Sequence, residues 1–316
     1  MNASKRAMTI SEFTLEISSG SEFVYNNGLS QARITIIIAA DSTLTKDERD
    51  SLRLCDADSR QTIPVVDSSV PVPAAWGAST QKNAYDFYPS GATPPTLAPD
   101  TKARVQEVFH QYVQTADFAG TRRKFGARIT LDAGGDVYSM DTEGSKGEVE
   151  IVSSQYPMPS FSAWHMEWDN PDKFEVGSTI KVTVYHLGMT DNGKRYGIRT
   201  ITVAPQSWAS TFRWLSPNSS TGAFCGYAPP PDTQTPQQRF VYSHESSMGD
   251  YRPATNNYSR HGCASVAFVS RVGGLPYAGG VNMQGSVYIL RDQYGTTHRV
   301  RVNIATSLDE MTLTQA

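Results

Sequence analysis

The chain has 316 residues and a mass of 34.6 kDa, and one hydrophobic core usually stops growing at roughly 250 to 300 residues, so two or three domains are expected. Hydrophobic residues make up 39% and aromatic residues 10% of the chain, which excludes the aromatic-poor composition of disordered proteins. The 28 basic residues are scattered among 31 acidic ones, which excludes the basic surface that nucleic acids or anionic membranes require.

The N-terminal segment carries Lys5 and Arg6 but lacks the apolar run that follows such residues in a secretory signal. We therefore expect synthesis in the cytoplasm without a cleavable signal peptide. The final location stays open and includes the cell exterior, reached after lysis or by dedicated export. The longest apolar run, Ile34–Ala40, is much shorter than the roughly 20 residues of a membrane-spanning helix, so no transmembrane segment is predicted.

Alternating apolar and polar residues recur along the chain and predict strands with one buried face. Clear examples are FTLEIS at Phe13–Ser18 and KVTVYHL at Lys181–Leu187. Asn192 and Gly193 supply the residues that tolerate the positive φ angles of a tight turn, so the flanking segments are predicted to form a hairpin.

Helix signals are few. LTKDERDSL at Leu44–Leu52 predicts a short helix, with Thr45 as the N-cap and acidic residues in the first turn. RVQEVFHQYVQ at Arg104–Gln114 fits either a strand or one face of a helix, and its β-branched and aromatic residues favour a strand. The sequence therefore predicts an all-β protein with little helix.

The tetrapeptide ARIT occurs twice, at residues 32–35 and 127–130, each time inside a predicted strand that leads to a turn. The two copies are separated by close to the roughly 100 residues of one immunoglobulin-like sandwich domain. This repeat favours tandem immunoglobulin-like β-sandwich modules.

Two proline-rich stretches, at residues 89–100 and 226–237, have the composition of connections between modules. The second also fits a long loop within a module. We place one boundary near residue 95 and another near residue 205. The predicted modules are residues 1–95, residues 96–205 and a C-terminal β-rich module of residues 206–316.

The sequence carries none of the well-marked phosphate-binding, zinc-protease, serine-hydrolase or EF-hand patterns. No cofactor, metal site or catalytic residue is predicted, and a non-enzymatic protein is expected. The three cysteines, Cys55, Cys225 and Cys263, are odd in number and widely spaced, which fits buried free thiols. His261 lies two residues from Cys263, but that spacing alone does not activate a thiol, so a structural cysteine is favoured.

The stretch WHMEWD at residues 164–169 crowds together aromatic, acidic and imidazole side chains. In a strand, its histidine and two acids would share one face and its tryptophans and methionine the other. Carboxylates beside exposed aromatic rings suit glycan binding or cleavage. A strand with its tryptophans in the core is the simpler interpretation. The candidate glycan-contact residues are Trp164, Glu167, Trp168 and Asp169.

Two classes of function fit this sequence. The first is a structural protein that self-associates into a filament, tube or shell, through sheet edges and the terminal arms at residues 1–9 and 307–316. The alternative is a β-rich effector that binds a glycan or a cell-surface partner, or that forms pores through a hairpin at Lys124–Thr142. An unmarked hydrolase is less favoured.

Overall fold

The computed structural model describes residues 8–73, 75–89, 105–168, 173–176, 180–205, 211–216, 219–228, 230, 240, 260–272 and 285–316. The chain divides into two compact units, Met1–Pro157 and Met158–Ala316. The predicted all-β fold is confirmed, because the described residues form four sheets and only one α-helix. Tandem immunoglobulin-like modules remain a prediction.

The described residues of the first unit form nine strands and the helix. These are β1 (Ile10–Ile17), β2 (Phe23–Tyr25), β3 (Gln31–Ala40), α1 (Lys46–Ser51), β4 (Arg53–Asp56), β5 (Trp76–Ser79), β6 (Val105–Thr115), β7 (Arg122–Thr130), β8 (Asp136–Tyr138) and β9 (Val149–Ser154). One sheet has the order β1-β3-β6-β5 and the other has the order β2-β9-β7-β4, with β8 paired to β7.

Both sheets of the first unit contribute alternate residues to one hydrophobic core. Ile34 and Ile36 of β3 are fully buried there, as are Phe125 and Ile129 of β7. The two ARIT copies therefore lie in different sheets of the same compact unit, in β3 and β7. The two segments are similar because both form strands with one buried face, which alternating Ala, Ile and Thr suits.

The local predictions for this unit are confirmed. Thr45 caps α1: its side chain accepts a hydrogen bond from the Glu48 N–H at 3.2 Å, while the Glu48 carboxylate accepts one from the Thr45 N–H at 2.8 Å. The ambiguous segment beginning near Arg104 forms strand β6, which pairs with β3 along ten residues from Gln31 to Ala40. The sequence of this segment fits either a helix or a strand, and its pairing with β3 decides for the strand.

Eleven strands are formed by the described part of the second unit. These are β10 (Trp164–Glu167), β11 (Lys173–Val176), β12 (Ile180–Asp191), β13 (Lys194–Tyr196), β14 (Ile198–Val203), β15 (Phe212–Trp214), β16 (Gly222–Ala228), β17 (Ala264–Val272), β18 (Ser286–Asp292), β19 (Thr297–Ile304) and β20 (Met311–Gln315). A seven-stranded sheet has the order β10-β12-β17-β16-β15, with β11 and β13 also paired to β12. A four-stranded sheet has the order β14-β18-β19-β20.

The core of the second unit also draws on both of its sheets. Leu187 and Val266 come from the seven-stranded sheet, and Tyr288 and Val300 come from the four-stranded sheet. The predicted hairpin is confirmed: Asn192 and Gly193 link β12 to β13 with φ angles of 47° and 76°.

The predicted module boundaries do not coincide with the division between the compact units. Strands β3 and β6 pair across residue 95, and strands β14 and β18 pair across residue 205. Residues 90–100, which make up most of the first proline-rich stretch, lie outside the described residues. In the second stretch, residues 226–228 belong to β16, and residues 229 and 231–237 lie outside the described residues. Composition carried no information about which strands pair across these stretches.

The C-terminal arm is part of the second unit. Its residues Met311–Gln315 form β20, which pairs antiparallel with β19, and Met311 is buried in the core. The pairing of β20 with β19 accounts for the order of this arm within one chain, and self-association through the arm remains a prediction. Residues 1–7 of the N-terminal arm lie outside the described residues.

This packing predicts that the C-terminal strand stabilises the second unit. Replacing Met311, which is 6% exposed, by alanine should lower the free energy of unfolding by about 2 to 4 kcal/mol, since it removes buried apolar volume. The matched control is Thr312→Ala, at an exposed position of the same strand, which should change it by less than about 0.5 kcal/mol. Denaturant unfolding measures both, and equal effects would contradict the packing role of β20.

Candidate functional site

The aromatic and acidic stretch singled out in the sequence begins with edge strand β10. A single turn of 3-10 helix at Phe161–Ala163 leads into it, and β10 then pairs antiparallel with β12. The register places Trp164 opposite Met189, and Glu167 opposite His186. Among the described strands, β10 ends the path of the seven-stranded sheet.

The predicted alternation of faces holds along β10. Trp164 and Met166 pack against the core of the second unit. His165 and Glu167 lie on the opposite face, where His165 Nε2 is 3.4 Å from Glu167 Oε1. The apolar residues of this strand therefore serve packing, and its polar residues are available for other contacts.

Trp164 is held at the edge of the core by a buried polar group. Its ring meets the His298 ring edge-on, with 5.8 Å between the centroids. His298 Nε2 lies 3.1 Å from Asp292 Oδ2, and both side chains are buried. Asp292 Oδ1 accepts hydrogen bonds from the N–H groups of Tyr294 and Thr296, so this carboxylate also fixes the β18–β19 turn.

Glu167 is the centre of a polar cluster at the surface. Its side chain is 57% exposed, and Arg260 Nη1 lies 3.6 Å from its second carboxylate oxygen. His165 Nδ1 lies 3.3 Å from the carbonyl oxygen of Ala163, which orients the imidazole. These contacts are long and exposed to solvent, so they orient the carboxylate more than they stabilise the fold.

Trp168 follows the last residue of β10 and is 39% exposed. It is thus the more exposed of the two candidate tryptophans, whereas Trp164 packs against the core. Asp169, the remaining candidate glycan-contact residue, lies outside the described residues. The structure brings Glu167 together with His165 and Arg260. Trp168 directly follows Glu167 in the chain.

The structure gives Cys263 neighbours that are distant in the sequence. His261 is exposed, whereas Cys263 is buried and its Sγ accepts a hydrogen bond from Arg195 Nη2 at 2.7 Å. Gly188 lies between Cys263 and His165, since a Cβ atom there would lie 3.4 Å from Cys263 Sγ and 2.8 Å from His165 Nε2. No spacing in the sequence could reveal these partners, because they meet only through the register of β10, β12 and β13.

Within the described ranges, no group of three or more His, Cys, Asp or Glu side chains is arranged to hold a metal ion. In that same part of the chain, no helix has both the length and the apolar character needed to cross a membrane.

The different surroundings of the two tryptophans predict different effects of their removal. Trp164→Ala should destabilise the protein by about 3 kcal/mol or more, because it leaves a cavity beside the core. Trp168→Ala should change stability by about 1 kcal/mol or less, since this side chain is partly in water. Thermal and denaturant unfolding of the two variants measure the difference, and a larger loss for Trp168→Ala would contradict the assignment.

No protein-family model and no curated protein matches this chain. Two solved structures with weak similarity come from streptococcal proteins. The sialic-acid-binding region of a Streptococcus sanguinis SK1 adhesin, bound to 3'sLn, is 10% identical, with 95% of this chain and 77% of that chain covered and a TM-score of 0.22. The C-terminal domain of the Streptococcus pyogenes antigen I/II-family protein AspA is 12% identical, with 98% and 100% covered and a TM-score of 0.25. These TM-scores are too low to assign a fold or a function.

Proposed function

We propose that this chain is a non-enzymatic protein that binds a glycan at the end of strand β10. The observation that carries the proposal is the exposed Trp168 directly after the exposed carboxylate of Glu167. Trp168 is 39% exposed, and the exposed part of its indole offers a flat apolar surface to a ligand.

The chemistry of a sugar ring matches this arrangement. One face of the ring carries C–H groups, which pack on the indole, and its hydroxyl groups donate hydrogen bonds to a carboxylate. Arg260 and His165 lie against the two oxygens of Glu167 and hold this acceptor in position. Because the carboxylate remains largely hydrated, a hydroxyl group replaces water there at little desolvation cost.

Self-association into a filament, tube or shell remains a prediction from the sequence. The C-terminal arm does not support it, because β20 completes its own unit by pairing with β19. Light scattering across a concentration series separates the hypotheses. A glycan-binding protein that works as a single copy gives 34.6 kDa throughout, whereas assembly gives regular large particles.

Pore formation also remains a prediction. Its candidate hairpin corresponds to β7 and β8, and β8 has only three residues. A strand that crosses a membrane needs roughly 9 to 11 residues. Phe125 and Ile129 of β7 are fully buried in the core of the first unit, so membrane insertion would require that core to open. These features favour the glycan-binding proposal over pore formation.

The glycan proposal is tested by screening the full chain against an array of glycans and measuring the affinity for the best ligand by calorimetry. Trp168→Ala and Glu167→Gln should each weaken binding about tenfold or more, which corresponds to roughly 1.4 kcal/mol. Thermal stability should stay near that of the original protein. Phe118→Ala is the matched control, because this aromatic side chain is 86% exposed but belongs to the first unit.

Three outcomes would contradict the proposal. They are the absence of any ligand on the array, unchanged affinity of both site variants, and an equal loss of affinity in the Phe118 control. If the bound glycan were instead cleaved and Glu167→Gln abolished turnover, the non-enzymatic part of the proposal would be wrong.

A further inference from the structure

The four-stranded sheet of the second unit has one face on the core and one face in solvent. Val300 and Val302 of β19 point into the core and are fully buried. Because side chains alternate along a strand, their neighbours in the sequence point to the opposite face. Thr297, Arg299 and Arg301 lie there, and all three are exposed. These three residues define the outer face of the sheet.

Three arginines are neighbours on the outer face. Arg291 of β18 lies directly opposite Thr297 of β19, and Arg299 comes two residues after Thr297, so the two arginines are diagonal neighbours. Such diagonal positions are about 7 to 8 Å apart. Arg301 follows two residues further along β19, which adds roughly 7 Å along the strand. The three guanidinium groups therefore belong to one continuous basic patch.

None of the described residues on the outer face is acidic. The only acidic residue of the four strands is Asp292, which is buried and contacts His298 and two backbone N–H groups. Asp309 and Glu310 lie in the turn between β19 and β20, beyond the ends of both strands. Within the described part of the chain, the three arginines of the patch form no ion pair or side-chain hydrogen bond. Their positive charge is therefore not neutralised there.

Exposed basic residues of the first unit have a different arrangement. On β7, Arg122 Nη1 lies 2.6 Å from Glu150 Oε1, and Lys124 Nζ lies 3.1 Å from Glu148 Oε1. These pairs balance the charge of a solvent-facing strand. On the outer face of the second unit, like charges about 7 Å apart repel one another, and a bound anion would offset that repulsion. The patch therefore has the charge distribution of an anion-binding surface.

Neutral hydrogen-bonding groups surround the arginines. Thr202 lies opposite Ile289, and Thr314 lies opposite Arg301, so both threonines share the outer face and both are exposed. Asn303 donates a hydrogen bond to the Thr314 hydroxyl at 2.9 Å. Threonine hydroxyl groups can both donate and accept hydrogen bonds, as the hydroxyl groups of a sugar do. The outer face thus offers cations for acidic groups and hydroxyl groups for the remainder of a sugar ring.

The same face lacks the features of two other kinds of polyanion-binding surface. Proteins that bind single-stranded nucleic acids stack the bases on aromatic side chains, and none of the described outer-face residues is aromatic. Segments that bind at a membrane surface insert exposed apolar side chains. The apolar residues of this face, Val287 and Ile289, are half-buried between neighbouring strands. These features favour a polar, sugar-based polyanion.

We propose that the outer face binds an acidic polysaccharide, a chain of sugars that carries carboxylate or sulfate groups. The planar guanidinium groups of Arg291, Arg299 and Arg301 bind these acidic groups through paired N–H donors. Thr202 and Thr314 exchange hydrogen bonds with the sugar hydroxyl groups. The net charge of the chain does not predict this surface, because acidic residues located elsewhere outnumber the basic ones. The surface lies on a different sheet from β10 and does not depend on the glycan site proposed there.

The test measures binding of a heparin hexasaccharide to the full chain by calorimetry, at about 0.05 M salt, where screening is weak. Replacing Arg299 and Arg301 together by glutamine should weaken binding about tenfold or more, because two charge-assisted contacts are lost. Replacing both by lysine should retain most of the affinity. The matched control is Arg122→Gln, which removes the same charge from an exposed strand of the first unit and should leave the affinity unchanged.

A second variant tests the charge of the face while keeping every arginine. Thr314→Glu places a carboxylate directly opposite Arg301, so it should weaken heparin binding about threefold through a competing surface ion pair. Thr314→Gln has nearly the same size without the charge and should keep most of the affinity. Thermal unfolding of each variant verifies that these exposed substitutions leave the fold intact.

Unchanged heparin affinity in the double glutamine variant, or an equal loss in Arg122→Gln, would overturn the proposal. Equal binding of neutral dextran would also overturn it. Tighter binding of oligo-deoxythymidine or of phosphatidylserine vesicles would assign the face to another class of polyanion. Trp168→Ala should leave heparin binding unchanged, and the arginine variants should leave binding at the end of β10 unchanged, so the two proposals can fail separately.

Discussion

The register of β12 against its neighbours is the constraint on which the second unit depends. This strand is bordered by β10 on one side and by β17 and β13 on the other. A shift of one residue would turn every side chain to the opposite face of the sheet. Leu187 holds the register because it is fully buried in the core, and its neighbours His186 and Gly188 are thereby placed on the other face.

The two faces of the seven-stranded sheet consequently have different roles. One face completes a hydrophobic core with Val266 and the four-stranded sheet. The other carries the row from Glu167 through His165 to Cys263, with Gly188 as the gap that lets the side chains approach. A glycine inside a strand weakens it, so its presence here is best explained by this close approach.

Strands of different sheets can be built from similar segments, and this explains the ARIT repeat. A segment of alternating Ala, Ile and Thr satisfies any strand that has one buried face, whichever sheet it joins. The copies at Ile34 and Ile129 accordingly supply two different sheets to one core. Likeness between strands is therefore weak evidence for duplicated modules, whereas pairing partners such as β3 and β6 reveal which segments fold together.

The sequence by itself determined the all-β class, the capped helix at Thr45 and the turn at Asn192, because these follow from alternation and local backbone chemistry. It also determined that His165 and Glu167 share a face of their strand. Only the tertiary structure decided that Arg195 reaches Cys263, since those residues meet through strand pairing between distant segments. Local spacing is encoded in neighbouring residues, but register and burial depend on the whole core.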